Sequence, residues 1–287
     1  MENPKKTVAK GKTSLNCGGK LLDLSKPLVM GIINVTPDSF YDGGKTNALK
    51  DVLIQAEKML QDGAAILDIG GQTSKPGAEI VTPQIEKTRV LPTIEAILKR
   101  FPETILSIDT FHSSVAKESI LAGANIINDI SAGEMDERMI PLAAELKVPY
   151  FIMHKKGLSK TMQDNPEYSN VVEEVFNYLL NKVEECKSHG ITDLVIDPGF
   201  GFGKTIEHNF TLLKRLDLFN LMGLPILVGL SRKSMIYNSL GSSAKEALNG
   251  TTALNMIALN NGAKILRVHD VKEAMECINL FNHYRNA

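Results

Sequence analysis

Along most of the chain one unit recurs: an amphipathic stretch, a break containing glycine, a short apolar run, and then polar residues. The phrases DGAAILDI from Asp62, AGANIINDI from Ala122 and NGAKILRV from Asn261 show it most clearly. The glycine in each break suits the residue just past a helix C-terminus, where a positive φ carries no Cβ penalty. The run that follows is apolar throughout instead of alternating, as expected of a strand covered on both faces. Eight such runs can be marked: Leu28–Ile33, Ile66–Ile69, Ile105–Ile108, Ile126–Ile127, Tyr150–Met153, Leu194–Ile196, Ile226–Val228 and Ile265–Val268. Helical patterns lie between them. In the clearest, Val171–Cys186, the residues Val171, Val172, Val175, Phe176, Leu179, Leu180 and Val183 fall on one face with charge opposite.

Strand and helix alternating in this way predict a single-domain (β/α)8 barrel of the TIM type, with an open doubly wound sheet as the alternative. The length of 287 residues agrees, since such a barrel typically needs about 250. The expected division is a flexible N-terminal extension over residues 1–19 and the barrel over residues 20–287.

Composition narrows the function class mainly by exclusion. With 32 basic and 33 acidic side chains, the chain has no electrostatic footprint for nucleic acid. The basic tail (Lys5, Lys6, Lys10, Lys12) is followed by no apolar core of a signal peptide. The longest uncharged apolar stretch, Leu221–Leu230, is about half the length of a membrane span and contains Pro225. Cys17, Cys186 and Cys277 lie far apart without CxxC spacing, which reads as reduced thiols in a cytoplasmic protein.

In a barrel the residues after the strands converge on one mouth, where active sites sit. Here every run leads into polar residues. They are Asn34 with the loop carrying Asp38, Phe40 and Asp42; Asp68 with GGQTSKPG; Asp109; Asn128 and Asp129; His154; Asp197 with PGFGFGK; Ser231, Arg232, Lys233 and Ser234; and Arg267 with His269. Any one of these has a plain reading as a helix cap or turn, and Asp38 and Asp129 are read that way. Arg267 and His269 alternate along a strand, so both can face one side while Val268 faces the other. Uncompensated charges gathered in one small cavity cost on the order of several kcal/mol each, so a polar ligand is expected to complete the set. Asn34, Arg267 and His269 suit a phosphate or pyrophosphate, with a metal-bound anion held at Asn34. Asp109, Asn128 and Asp197 offer acceptors to a ligand rich in N–H donors, such as an amino-pyrimidine ring, whose carbonyl Lys233 can cap. The cavity is therefore expected to have an anion end and an N–H-donor end. The sequence GKT at Gly203–Thr205 is no P-loop, because Pro198 holds the first glycine position. The histidines show no HExxH spacing.

Seven segments, GIINVTPDSFYDGG, DIGGQTSKPGA, SIDT, IINDI, DPGFGFGK, GLSRKSM and ILRVHD, stand in this order from about Leu28 to the C-terminus. Together they resemble the signatures of the dihydropteroate synthase family. The resemblance implies a cytoplasmic (β/α)8 barrel, usually a homodimer, acting in folate biosynthesis. Such an enzyme joins 6-hydroxymethyl-7,8-dihydropterin diphosphate to p-aminobenzoate, giving 7,8-dihydropteroate and pyrophosphate with the help of Mg²⁺. Carried over by position, it implies that Asp109, Asn128, Asp197 and Lys233 hold the pterin, with Met153 beneath its ring. Asn34 would help bind Mg²⁺, and Arg267 and His269 would grip the diphosphate. The catalytic set is then Asn34, Asp109, Lys233, Arg267 and His269. Loops bearing Phe40 and Asp42, and Ser74 and Pro76, would close over the site. Phe40, Ser74, Pro76, Phe202 and Ser234 would border the p-aminobenzoate pocket, where sulfonamides compete.

Three features depart from the family pattern. The usual ESTRPG reads Gln72-Thr73-Ser74-Lys75-Pro76-Gly77, and Lys75 lacks the planar fork of the usual arginine. The HKKG segment at His154–Gly157 and the N-terminal extension match nothing in it. A methyltetrahydrofolate-binding methyltransferase domain, or a non-catalytic pterin-binding protein, would share the pterin end. Neither has a use for the anion end formed by Asn34, Arg267 and His269.

Overall fold

The computed structural model describes residues 11–35, 44–72, 80–157 and 166–287. A hairpin of β1 (Ser14–Cys17) and β2 (Lys20–Asp23) precedes β3 (Leu28–Asn34), β4 (Ile66–Gly70), β5 (Ile105–Asp109), β6 (Ile126–Asp129), β7 (Tyr150–Met153), β8 (Leu194–Asp197), β9 (Ile226–Val228) and β10 (Ala263–Val268). The last eight strands form a closed parallel barrel in sequence order, β10 pairing back onto β3. That closure, running from Ile265 against Leu28 to Val268 against Gly31, removes the open-sheet alternative. Each predicted apolar run is one of these strands.

Helices α1 (Gly44–Gln61), α2 (Pro83–Arg100), α3 (Ser113–Leu121), α4 (Met139–Leu146), α5 (Val171–Ser188), α6 (Ile206–Lys214), α7 (Ser234–Ser239), α8 (Leu248–Asn260) and α9 (Val271–Asn286) lie between and after the strands. Local chemistry sets their ends. Gly63, Gly123 and Gly262 take φ of 103°, 110° and 102°, the left-handed exit expected after α1, α3 and α8. Asn170 caps α5 by accepting from the Val172 and Glu173 amides, and that helix buries Val171, Val172, Val175, Leu179, Val183 and Cys186 as its periodicity predicts.

The two-residue period of a strand divides the core in two. Outward residues such as Val29, Leu67, Leu106, Ile127 and Ile152 pack under the helices. Inward residues Leu28, Met30, Ile66, Ile126, Phe151, Val195, Leu227 and Ile265 fill the lower barrel together with Leu15, Cys17, Leu22 and Leu24 of the hairpin segment.

The hairpin is the main correction to the sequence reading, which left residues 1–19 as an extension. Residues 1–10 lie outside the described residues, but Ser14–Cys17 pairs with Lys20–Asp23 across the expected boundary. Leu15, Cys17 and Leu24 are fully buried. At about 1.5–3 kcal/mol for each fully buried leucine, as an upper value, this plug contributes substantially to the barrel's closed end. Lys12 Nζ bonds Thr192 O at 2.6 Å, Lys20 Nζ bonds Pro102 O at 2.8 Å, and Asn125 Nδ2 bonds Cys17 O at 3.4 Å. Those partners precede β8, β5 and β6, so the plug is tied to the N-terminal pole of the barrel, opposite the strand C-termini.

Candidate active site

At the C-terminal pole the inward positions of several strands change from apolar to polar or charged near the strand end. Above Ile66 stands Asp68, above Ile126 stands Asn128, above Val195 stands Asp197, and above Ile265 stands Arg267. Adjacent strands bring these groups level: Gly70 pairs with Asp109, Asp109 with Asn128, and Met153 with Asp197.

Arg267 is the centre of this layer. Its Nε donates to Asp68 Oδ2 at 2.7 Å and its Nη2 to Asp109 Oδ2 at 2.6 Å, while Asn128 Nδ2 donates to the same Asp68 oxygen at 3.1 Å. Burial works against charge here. It pushes the Asp109 carboxyl up to about 7, with Arg267 opposing. For Arg267 itself burial is outweighed by Asp68 and Asp109, which hold the guanidinium above its ordinary range. The two expected ends meet here: Arg267 and Asp109, assigned to opposite ends, are an ion pair. Asp68, the strand-end residue to which the sequence reading gave no role, is the carboxylate that anchors them.

On the next arc of the mouth, Asp197 Oδ1 accepts from the Gly199 amide at 2.7 Å. Lys233, at the N-terminus of α7, donates to the Phe200 carbonyl, and its ammonium lies 4.3 Å from the centre of the Phe202 ring. Burial lowers the Lys233 ammonium to about 8, against the attraction of Asp197, and burial raises the Asp197 carboxyl. Met153 is buried at the end of β7, level with Asp197. Ser234 is the first residue of α7 and is exposed.

Towards β10 and β3, His269 Nδ1 lies 3.0 Å from Ser231 Oγ, which also accepts from the His269 amide at 3.2 Å. Burial and the neighbouring Arg267 pull this imidazole down to about 4, so it offers an N–H instead of a positive charge at neutral pH. Arg232 adopts φ 56° and is held by both oxygens of Asp270 at 2.9 and 2.8 Å. Asn34 stands across Gly70 from Asp109. A Cβ on Gly70 would sit 3.6 Å from Asn34 Oδ1 and 3.7 Å from Asp109 Oδ2, so glycine leaves these two polar groups facing a common space.

The structure thus gathers Asn34, Asp109, Asn128, Met153, Asp197, Phe202, Lys233, Arg267 and His269 around one mouth. Phe40, Ser74 and Pro76, with Asp38, Asp42 and Lys75, lie outside the described residues. Asp129 faces the opposite way from Asn128. It accepts from Ser131 N and Oγ, both at 2.7 Å, from Gly133 N at 2.8 Å and from Tyr150 Oη at 2.7 Å, which is the structural role the sequence reading left it.

Glu86, in the first turn of α2, carried no signal in the sequence. It is buried beside Thr110 and lies 3.9 Å from His112 Nε2, and burial pushes its carboxyl up from 4.5 to about 7. The unfolded chain releases this proton first as pH rises, so folding loses stability between those values and is then level, by on the order of 3 kcal/mol. Glu86→Gln is expected to remove that component. Urea unfolding at pH 5 and pH 8 checks it, and a variant with the wild-type pH slope would refute the assignment.

Comparison with known proteins agrees with the geometry. The family model described as pterin binding enzyme matches residues 30–269. The dihydropteroate synthase of Escherichia coli (strain K12) is 47% identical over 262 residues, covering 91% of this chain and 92% of that protein. Among solved structures, the Yersinia pestis dihydropteroate synthase with a sulfonamide drug complex superposes with a TM-score of 0.90 at 42% identity, over 96% of this chain and 100% of that one. The Xanthomonas albilineans dihydropteroate synthase with 4-aminobenzoic acid gives a TM-score of 0.89 at 37% identity, over 96% and 99%.

Proposed function

The chain belongs to the pterin-binding enzyme family, among the dihydropteroate synthases, and from that premise we propose how its barrel mouth performs the reaction. The substrates are 6-hydroxymethyl-7,8-dihydropterin diphosphate and p-aminobenzoate, and the products are 7,8-dihydropteroate and pyrophosphate. The observation that carries this reading is the joined layer Asp68–Arg267–Asp109–Asn128, with Asp197 and Lys233 beside it.

Asp109, Asn128 and Asp197 present acceptors to the N–H groups of the pterin, above Met153. Lys233 donates to the ring's carbonyl side. Arg267, ion-paired to Asp68 and Asp109, spans from the ring towards the diphosphate, and His269 adds an N–H donor there. Asn34 is a hard oxygen donor at the mouth, beside Gly70 and Asp109. Mg²⁺ is commonly held by one or two protein oxygens together with substrate phosphates, and Asn34 fits that pattern. When bound, the ion would neutralise charge on the leaving diphosphate.

We read the reaction as dissociative. The bond from the pterin methylene to the diphosphate oxygen breaks, its electron pair leaving with pyrophosphate. The carboxylates of Asp109 and Asp197 favour the positive charge that develops on the electron-rich ring. The arylamine nitrogen then attacks the methylene carbon, the new C–N bond forms, and the surplus N–H proton is lost to solvent. No side chain acts as a nucleophile, so orientation of the two substrates supplies much of the acceleration. Phe202 and Ser234 are proposed to border the arylamine, with Phe40, Ser74 and Pro76 completing that pocket. Sulfonamides, which share the arylamine, would compete there.

A cytoplasmic homodimer goes with this reading. Cys17, Cys186 and Cys277 are buried free thiols, and no helix among the described residues is long and apolar enough to cross a membrane. The test is pyrophosphate release with both substrates. It is expected to match dihydropteroate formed one for one, to need both substrates and to fall on Mg²⁺ chelation. No release with all components present would refute the proposal.

A further inference from the structure

Lys204 ends the PGFGFGK segment, and the reaction just described gives it no task. Its side chain is buried, and its ammonium reaches Gly199 O at 2.8 Å, Phe202 O at 3.1 Å and His154 Nδ1 at 2.9 Å. The His154 carbonyl is a fourth, longer contact at 3.4 Å, so all three hydrogens of an ammonium group find acceptors. His154 can accept through Nδ1 only as a neutral ring with its proton on Nε2, and burial, then Lys204 itself, pull that imidazole down to about 2. Burial likewise draws Lys204 below the ordinary lysine range, with Asp197 opposing.

The loop held by this group has no slack. A Cβ on Gly199 would stand 1.8 Å from the His154 carbonyl oxygen, and one on Gly203 would stand 2.2 Å from that of Lys156. Both glycines have positive φ, 72° and 64°, so a side chain at either position is excluded twice over. The Phe200 carbonyl turns the other way, to Lys233, whose ammonium lies against the Phe202 ring. One short loop is thus held between two lysines, Lys204 from behind and Lys233 from the mouth.

We propose that Lys204 is a positioning residue: by drawing the Gly199 and Phe202 carbonyls against the end of β7, it sets the Phe202 ring, and so shapes the arylamine's side of the mouth. The inference rests on the reaction proposed above. Asp109 and Asn128 are placed by the strand ladder, as is the backbone of Asp197, whose side chain also accepts from the Gly199 amide. Phe202 lies beyond that ladder and depends on the loop. Loss of Lys204 therefore acts on the second substrate more than on the pterin.

Lys204→Met keeps the length of the side chain and removes its charge and its donors. The expected result is a KM for p-aminobenzoate raised about tenfold or more, with pterin diphosphate affinity by titration calorimetry within about threefold of wild type. A merely structural role would lower the folded fraction, and hence apparent kcat, without moving KM. A wild-type KM in folded Lys204→Met, or equal losses for both ligands, overturns the proposal. Where Lys204→Met does not fold, Lys204→Leu, which also lacks N–H donors, is read in the same way, a wild-type KM again overturning it. Inactive wild-type protein would count against the reaction instead. The clamp is then read from the ring-labelled Phe202 NMR resonance, assigned through Phe202→Leu, which must shift in the Lys204 variant.

Discussion

Lys233→Ala is expected to lower kcat/KM by about a hundred- to a thousandfold, with folding retained. Its ammonium is drawn to Asp197 on this arc of the mouth, and it holds the Phe200 carbonyl. A charge-assisted hydrogen bond to substrate contributes about 1.5–3 kcal/mol. The substitution also removes one of the cations that oppose the burial-raised Asp197 carboxyl, leaving Lys204 and Arg267, so the acceptor offered to the ring is less favoured in its charged form. Together these reach roughly 3–4 kcal/mol, the stated range in rate. The pH profile carries a second mark. With Lys233 lowered to about 8, wild-type activity falls on the alkaline side of that value as the ammonium deprotonates, and the limb disappears in Lys233→Ala. Pyrophosphate release measured from pH 6 to 10 decides it. Activity within about threefold of wild type would sink the assignment.

The second large effect concerns Arg267, where the structure alters the expectation. A pure diphosphate grip would weaken pyrophosphate binding and spare the pterin. Instead Arg267 neutralises two buried carboxylates, Asp68 at 0% and Asp109 at 15% side-chain exposure. Removing one partner of a buried ion pair costs about 3–5 kcal/mol, so Arg267→Met is expected to lose stability on that scale and to weaken both pterin and pyrophosphate. The sign with pH follows from the carboxylates. Asp109 is already raised to about 7 with Arg267 present, and without the guanidinium it rises further. The folded variant then takes up protons as pH falls, so its stability deficit against wild type is greatest above pH 7 and narrows towards pH 5. Adding Asp68→Asn should recover part of the loss, because the two sites share one interaction. Urea unfolding of the three proteins at pH 5 and 8 tests this, and a deficit independent of pH would refute it.

How much of this was legible in the sequence depended on whether a signal was local. The barrel strands were, because each is an apolar run, several entered from a glycine break, and burial on both faces leaves no alternation to misread. The polar strand ends were legible as a group for the same reason. Which way each one points was harder: Asn128 and Asp129 are adjacent, and only the register sends one into the mouth and the other onto Tyr150. Asp68 sits inside an apolar run and gained its meaning from Arg267, nearly two hundred residues away. Lys204 looked like the end of a failed phosphate loop, since nothing nearby in sequence announces the His154 ring it meets. The hairpin was missed because two four-residue strands next to a basic tail carry too little pattern to stand apart from it.

The packed floor of the barrel also governs traffic. With Met30, Ile66, Ile126, Phe151, Val195, Leu227 and Ile265 filling the interior above Leu15, Cys17, Leu22 and Leu24, the mouth is the one door, and both substrates and both products pass the same rim. On the proposed reaction the pterin lies deepest and the arylamine nearer the opening. Filling then runs from the bottom upward: an arylamine seated first would bar the way to the floor. The packed interior touches no substrate, yet by leaving one way in and out it imposes a queue.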